Sequence, residues 1–225
     1  MRRKLGMICI ILGVCCLLTA IGFVIYNRCE EENGAITSQT LLENVQLVIQ
    51  QEEQPTGAPT QSISPEATEP ESTQPVEPSV QIPQETEVET LPQEMPTVPA
   101  GDYTSIGILS IPVLELELPV LADWSYEKLK SAPCHYYGTY YESNFVIAGH
   151  NYTAHFGKLS HLQAGDLILF TDATGTVHCY EVVLLETLAA TATEEMITSG
   201  FDLSLYTCTL GGSNRITVRC KAVKP

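Results

Sequence analysis

The sequence predicts a mainly β domain, a barrel or sandwich with short helices, over residues 103–225, preceded by a transmembrane helix and a disordered linker. Three observations carry this. Seven or eight short β-type runs follow one another after Tyr103, punctuated by Gly, Pro, Asn and Asp. Leu5 to Tyr26 is a 22-residue stretch without a charge or a side-chain amide. Residues 30–100 contain 14 Glu and 10 of the 14 prolines but no Lys or Arg.

The formal charge of −16 therefore divides into +4 over residues 1–29, −14 over 30–100 and −6 over 101–225. A nucleic-acid partner is excluded by this layout, because counterion release needs a clustered basic surface and the only basic cluster lies at the N-terminus. The acidic composition belongs to the linker. About 125 residues remain to fold, enough for one hydrophobic core.

At about 1.5 Å per residue, a helix from Leu5 to Tyr26 spans a bilayer core. Arg2, Arg3 and Lys4 precede it, so the positive-inside rule leaves residues 1–4 in the cytoplasm and places the rest outside the cell. A cleaved signal peptide would have a shorter apolar region and a small-residue cleavage site, whereas Asn27-Arg28-Cys29 follows here. An uncleaved anchor in contact with lipid through residues 5–26 is the expectation. A lipid attachment at Cys15 or Cys16 is disfavoured because the apolar run continues beyond them, and Cys9, Cys15 and Cys16 read as small apolar side chains.

Residues 27–102 read as an extracellular Pro/Glu/Thr-rich stalk with too little apolar surface to offset the entropy of ordering. Prolines and like charges stretch such a chain, so its expected role is spacing. Leu41 to Ile49 is the one apolar patch before the stalk, and reads as a fraying extension of the juxtamembrane segment or a short helix near the membrane.

Ile106 to Ile111 is a short apolar run closed by Pro112, and Leu116 to Leu121 alternates; both read as strands. Ser125 to Ser131 allows one or two helical turns. Tyr136 to Tyr141 is an aromatic connection for which packing over the β domain is expected. Asn144 to Ala148 reads as a buried strand ending at Gly149-His150. Phe156 to Leu162 allows a helical turn. Leu167 to Thr171 and Thr176 to Leu185 read as strands joined by the hairpin signal Asp172-Ala173-Thr174-Gly175. A short helix is expected at Thr193 to Ile197, with Thr193 as its N-cap and acids in the first turn. Leu203 to Cys208 and Arg215 to Val223 complete the strands.

A cysteine at one strand end, a histidine at another and an arginine opening the next strand supply a nucleophile, an acid–base group and an anion stabiliser. These are Cys208, His150 and Arg215. A thiolate attacks carbonyls, an imidazole protonates a leaving amine, and a fixed cation offsets an oxyanion. Cys134, Cys179 and Cys220 read instead as buried small hydrophobes; outside the cell a disulfide such as Cys179–Cys220 is allowed, without its connectivity being readable. Cys134, His135, His155, His161, His178 and Cys179 are metal-ligand types but lack strong metal spacing, so no metal is expected. His155 and His161 read as loop or surface residues, and Arg219 as a solvated or ion-paired arginine.

Ser204-Leu205-Tyr206-Thr207-Cys208, with Arg215 seven positions on, resembles the TLxTC signature of sortases. Val146-Ile147-Ala148-Gly149-His150 resembles the strand that delivers the sortase histidine, and Ile106 to Pro112 the family's first strand. The resemblance covers about residues 104–223. Ser204 stands where Thr is usual, and the short interval from Cys208 to Arg215 is closest to class D-like sortases.

The resemblance implies an eight-stranded β-barrel and a membrane-anchored cysteine transpeptidase without cofactor or metal. Cys208 would attack the carbonyl of an LPxTG-like sorting signal on a surface protein or pilin, forming a thioacyl enzyme. His150 would protonate the departing amine, and Arg215 would hold the substrate carbonyl or its oxyanion. Thr207 and Thr209 are expected to support the oxyanion or substrate, the latter through its backbone N–H. The acceptor would be an amine such as a peptidoglycan precursor or a pilin lysine in a Gram-positive cell wall. Two other readings stand beside this one: a hydrolytic cysteine peptidase of the same fold, and a stalked, non-enzymatic surface-binding module.

Overall fold

Apolar residues at alternate positions, and one run apolar at every position, form the strands of a computed structural model that describes residues 2–52 and 93–224. In chain order the elements are α1 (Arg2–Glu52), β1 (Val98–Ala100), β2 (Tyr103–Ile111), β3 (Leu116–Leu121), α2 (Tyr126–Ser131), β4 (Cys134–Tyr137), β5 (Phe145–Ala148), β6 (Leu167–Asp172), β7 (Val177–Ala189), α3 (Thr193–Ile197), β8 (Leu203–Cys208) and β9 (Asn214–Val223). The strands run β1-β2-β3-β4-β5-β8-β9-β7-β6, and β6 pairs back with β2. Eight strands thus close into the expected barrel, with β1 added as a hairpin to the start of β2.

Closure occurs where Gly107 lies opposite Asp172. Gly107 has φ 148°, and a Cβ there would lie 2.1 Å from the Thr171 carbonyl oxygen, so only glycine lets β6 approach. Asp172 then secures the hairpin: its Oδ1 accepts from the backbone N–H groups of Thr174 and Thr176, and its Oδ2 lies 2.9 Å from His178 Nε2. Inside, Leu109, Ile111, Phe145, Ile147, Phe156, Ile168, Phe170, Leu203, Leu205 and Val218 form a core at 0% exposure.

Local sequence rules account for most boundaries. Ser125 caps α2 by accepting from the Lys128 N–H at 3.1 Å. Thr193 is the first helical residue of α3 rather than its cap, which is Ala192 with no capping side-chain bond. The aromatic stretch expected to be a connection begins as strand β4, pairing with β5. Its tyrosines part company: Tyr140 packs on Phe145 and Phe170, while Tyr136 turns toward Tyr206 and Trp124. Cys134 and Cys220 are buried, and burial pushes both thiols up to about 12. Cys179 pairs with Val223 while Cys220 pairs with Val182, so the two cysteines are out of register and both are free.

The expected stalk is corrected over its first part. Residues 27–52 continue the apolar helix as α1, and Leu41, Val45 and Ile49 are buried against Val98, Ala100, Leu121 and Leu129. Spacing of four places these three on one helix face, and burial of that stripe offsets the cost of ordering. The middle of the expected stalk, residues 53–92, lies outside the described residues. The apolar half of α1 is long and hydrophobic enough to cross a membrane.

His155, expected as a loop or surface residue, lies in the loop after β5 but at 0% exposure, and among the described residues neither ring nitrogen has a hydrogen-bond partner. Burial lowers its pKa to about 4. His161 is exposed, as expected.

Two measurements check this packing. Leu41→Ala is expected to destabilise the folded domain by about 2–4 kcal/mol, seen as a lower thermal midpoint of the full chain. Unfolded, His155 titrates near 6.5, and folded near 4, so the unfolded state takes up the extra proton in that window. Stability is therefore expected to fall as pH drops from about 6.5 to 4, and His155→Leu to flatten that slope in thermal unfolding scans.

Candidate active site

Strand pairing brings the three chemistry-bearing residues together. β5 and β8 are parallel neighbours with Ala148 opposite Tyr206, and the Gly149 N–H donates to the Tyr206 carbonyl at 3.0 Å. His150 and Cys208 each lie two residues beyond that pair, at the same end of strands spaced about 4.8 Å apart. Cys208 in turn lies opposite Arg215 in the β8–β9 ladder. Inner positions Leu203, Leu205 and Thr207 alternate with outer ones, so Ser204, Tyr206 and Cys208 face outward with Arg219, Thr217 and Arg215 opposite them.

All three side chains are partly exposed. His150 Nδ1 is buried without a protein partner, and its ring stacks on Tyr152 at a 3.8 Å centroid separation and 28°. Burial holds the imidazole below the usual histidine range, opposed by the nearby Glu30 carboxylate. Arg215 Nη1 donates to the carbonyls of Gly212 and Asn214 at 3.0 and 3.2 Å, so the guanidinium is folded over its own hairpin loop. No hydrogen bond joins Cys208 to His150 among the described residues.

One hollow opens at Cys208 and a second at Arg215. The first, of about 460 Å³, is lined by Asn151, Gly157, Ser160, Cys208 and Leu210. The other, of about 180 Å³, lies beside Arg215 and is lined by Trp124, Tyr126, Tyr136, Met196 and Tyr206. Leu210 is 94% exposed, at the tip of the loop between Cys208 and Arg215.

The supporting residues differ from expectation. The Thr209 N–H already donates to the Asn214 carbonyl at 3.0 Å, closing the hairpin, so this amide is not a free oxyanion donor here. Thr207 is 1% exposed on the inner face, and its Oγ1 is unpartnered. Arg219 is ion-paired rather than solvated. At 1% exposure it donates to Glu186 Oε1 (2.7 Å), Ser204 Oγ (2.9 Å) and the carbonyls of Glu195 (2.7 Å) and Met196 (3.2 Å), tying α3 onto the outer face of β8 and β9. The hydroxyl of Ser204 thus has a defined acceptor role. Tyr152 and Tyr206 were not singled out by the sequence reading, although Tyr206 stands two positions before Cys208 on the same strand face.

The profile of the Sortase domain family matches residues 109–223, just over half of the chain. The chain belongs to the sortase family. Among solved structures, sortase A from Corynebacterium diphtheriae is 24% identical with a TM-score of 0.50, the alignment covering 55% of this chain and 62% of that one. Sortase C1 of GBS Pilus Island 1 is 25% identical with a TM-score of 0.49, covering 54% of this chain and 65% of that one. The chain thus spans less than two thirds of the length of either. No curated protein sequence matches. The likeness to the diphtherial structure shows the fold, and His150, Cys208 and Arg215 lie within the span 109–223 that the family profile covers.

Arg219 is a structural member of the site face. Arg219→Ala, which leaves the Ser204 hydroxyl and two helix carbonyls without their donor, is expected to cost about 2–3 kcal/mol in urea unfolding. Cys208 is expected to keep its alkylation rate under conditions where that variant remains folded.

Proposed function

We propose that this sortase is a cysteine transpeptidase that cleaves a sorting signal of the LPxTG type and passes the acyl group to an amine. The observation that carries the reading is the convergence of His150, Cys208 and Arg215 at one end of three adjacent strands, β5, β8 and β9. Each brings one of the functions that acyl transfer requires.

In this reading the donor peptide lies in the aromatic hollow beside Arg215, and the amine arrives through the hollow beside Asn151 and Gly157. The Cys208 thiolate adds to the scissile carbonyl carbon, and the electron pair moves to the carbonyl oxygen. Arg215 leaves its loop carbonyls to hold that oxyanion. His150, as imidazolium, gives its proton to the departing amine as the C–N bond breaks, leaving a thioacyl enzyme. An incoming amine then attacks the thioester, His150 takes its proton, and collapse of the adduct expels the Cys208 thiolate with a new amide formed. The half-buried setting of His150 suits this exchange, since burial favours its neutral form and a neighbouring thiolate its charged form.

Donors would be surface proteins or pilins bearing the signal, and acceptors a peptidoglycan precursor or a pilin lysine. The anchor would place residues 1–4 in the cytoplasm and the sortase domain outside the membrane.

The test uses the full chain in detergent micelles with an LPxTG peptide, with and without an added amine. Product carrying the amine is expected with wild type, and its formation is expected to fall by at least about 10³-fold in Cys208→Ala, with comparable losses in His150→Ala and Arg215→Ala. A product yield indifferent to the amine would indicate hydrolysis, and unaltered function in Cys208→Ala would indicate a binding module.

A further inference from the structure

The residues that follow the apolar stretch of α1 are bound to the loop that carries His150. Glu31 Oε1 accepts from the Thr153 N–H at 2.7 Å, and hydrogen bonds from Thr153 hold the Glu31 carboxyl below its usual range. Glu30 pairs with Lys130 at 3.1 Å. Between them and the buried stripe, Gly34 lies against both α2 and the loop after His150: a Cβ there would stand 2.7 Å from the Lys130 carbonyl oxygen of α2 and 3.0 Å from Tyr152 Cε2 of the loop. A glycine inside a helix costs about 1 kcal/mol relative to alanine, and this contact gives it a reason. Ser38 continues the same buried face at 3% exposure, leading to Leu41, Val45 and Ile49.

On its other side the loop is fixed to itself. The Phe156 N–H donates to the His150 carbonyl at 3.1 Å and the Gly157 N–H to the Tyr152 carbonyl at 2.9 Å. Tyr152 is thus held between Gly34 of the helix and the imidazole on which it stacks.

From these contacts we infer that the juxtamembrane part of α1 is a positioning element of the active site: through Glu31 and Gly34 it holds the Tyr152 ring against His150. The inference rests on the reading of His150 as the acid–base group. It also fixes the site's height. Gly34 is eight residues beyond Tyr26, about 12 Å along the helix axis, against about 5–7 Å of headgroup region on each side of a bilayer core. α1 and β1 pack on one another, so the segment joining them, residues 53–92, does not set the distance between membrane and site. The spacing role expected of the acidic linker passes to a rigid helix.

The test compares wild type, Glu31→Ala, Glu31→Gln, Gly34→Leu and the control Glu32→Ala as full chains in phosphatidylcholine–phosphatidylglycerol vesicles. Amide hydrogen exchange over residues 151–157 is read together with kcat and KM for transfer of an LPxTG peptide to an amine. Gly34→Leu is expected to speed exchange in that loop about tenfold or more and to lower kcat about tenfold or more with KM within about twofold. Glu31→Ala is expected to move both in the same direction, Glu31→Gln to restore them because its amide oxygen still accepts the Thr153 N–H, and Glu32→Ala to match wild type. Unchanged exchange, or faster exchange with unchanged kcat, in folded variants of an active wild type overturns the positioning role alone. A wild type that transfers to no amine defeats the proposed reaction and the positioning role with it, while the exchange data still report whether helix and loop are joined.

Discussion

The parallel pairing of β5 with β8 is the constraint on which the site depends. Phe145 to Ala148 are buried at every position, so the strand cannot slip by a residue without driving apolar side chains against the wrong neighbours. With Ala148 fixed opposite Tyr206, the register carries His150 and Cys208 to the same strand end. The antiparallel pairing of β8 with β9 then brings Arg215 opposite Cys208, and the buried Arg219 secures that pairing from outside by bonding Ser204, Glu186 and two carbonyls within α3. The chemistry thus rests on a hydrophobic strand whose own side chains take no part in it. The Arg215 guanidinium is held instead by two loop carbonyls, which in the proposed reaction a substrate oxyanion would replace.

The second constraint is the union of the long N-terminal helix and the barrel. A flexible tether would let the catalytic domain sample a range of heights, whereas α1 binds the barrel from Glu30 to Ile49. This makes the helix part of the folded unit. A fragment beginning near residue 101 would lack the Leu41, Val45 and Ile49 face and the β1 strand, exposing Leu121, Leu129 and the buried His155 side of the catalytic loop. Assays on such a fragment would therefore probe a different object from the full chain.

Much of the barrel was legible because its strands carry period-two or continuous apolar runs between turn residues. The hairpin at Asp172 to Gly175 and the short helix at Thr193 to Ile197 were legible for the same local reasons. His150, Cys208 and Arg215, the residues proposed to act, stand out in the sequence by residue type and by the SxYTC pattern, and strand pairing brings them to one strand end. What escaped is nonlocal. Strand β4 contains Cys134-His135-Tyr136-Tyr137, an aromatic run that pairs with β5 yet reads equally as a connection. Two of the five residues in the docking stripe on α1 are Gly34 and Ser38, small residues that register as polar or breaking in sequence but permit close approach in three dimensions. His155 is buried only because α1 covers it, and the Thr209 amide is occupied only because the hairpin closes on Asn214. Each of these depends on a partner distant in sequence or on loop geometry that no local pattern encodes.

Strand register brings His150 to the strand end that carries Cys208, which is what lets the imidazole act on the chemistry proposed for the thiol. The most direct measurement is the pH dependence of Cys208 alkylation by iodoacetamide in the full chain, followed on the Cys208 peptide by mass so that the other cysteines do not intrude. Wild type is expected to show an inflection set by His150, below the usual histidine range, and His150→Gln to lose it. Superimposable profiles for the two proteins would contradict the account.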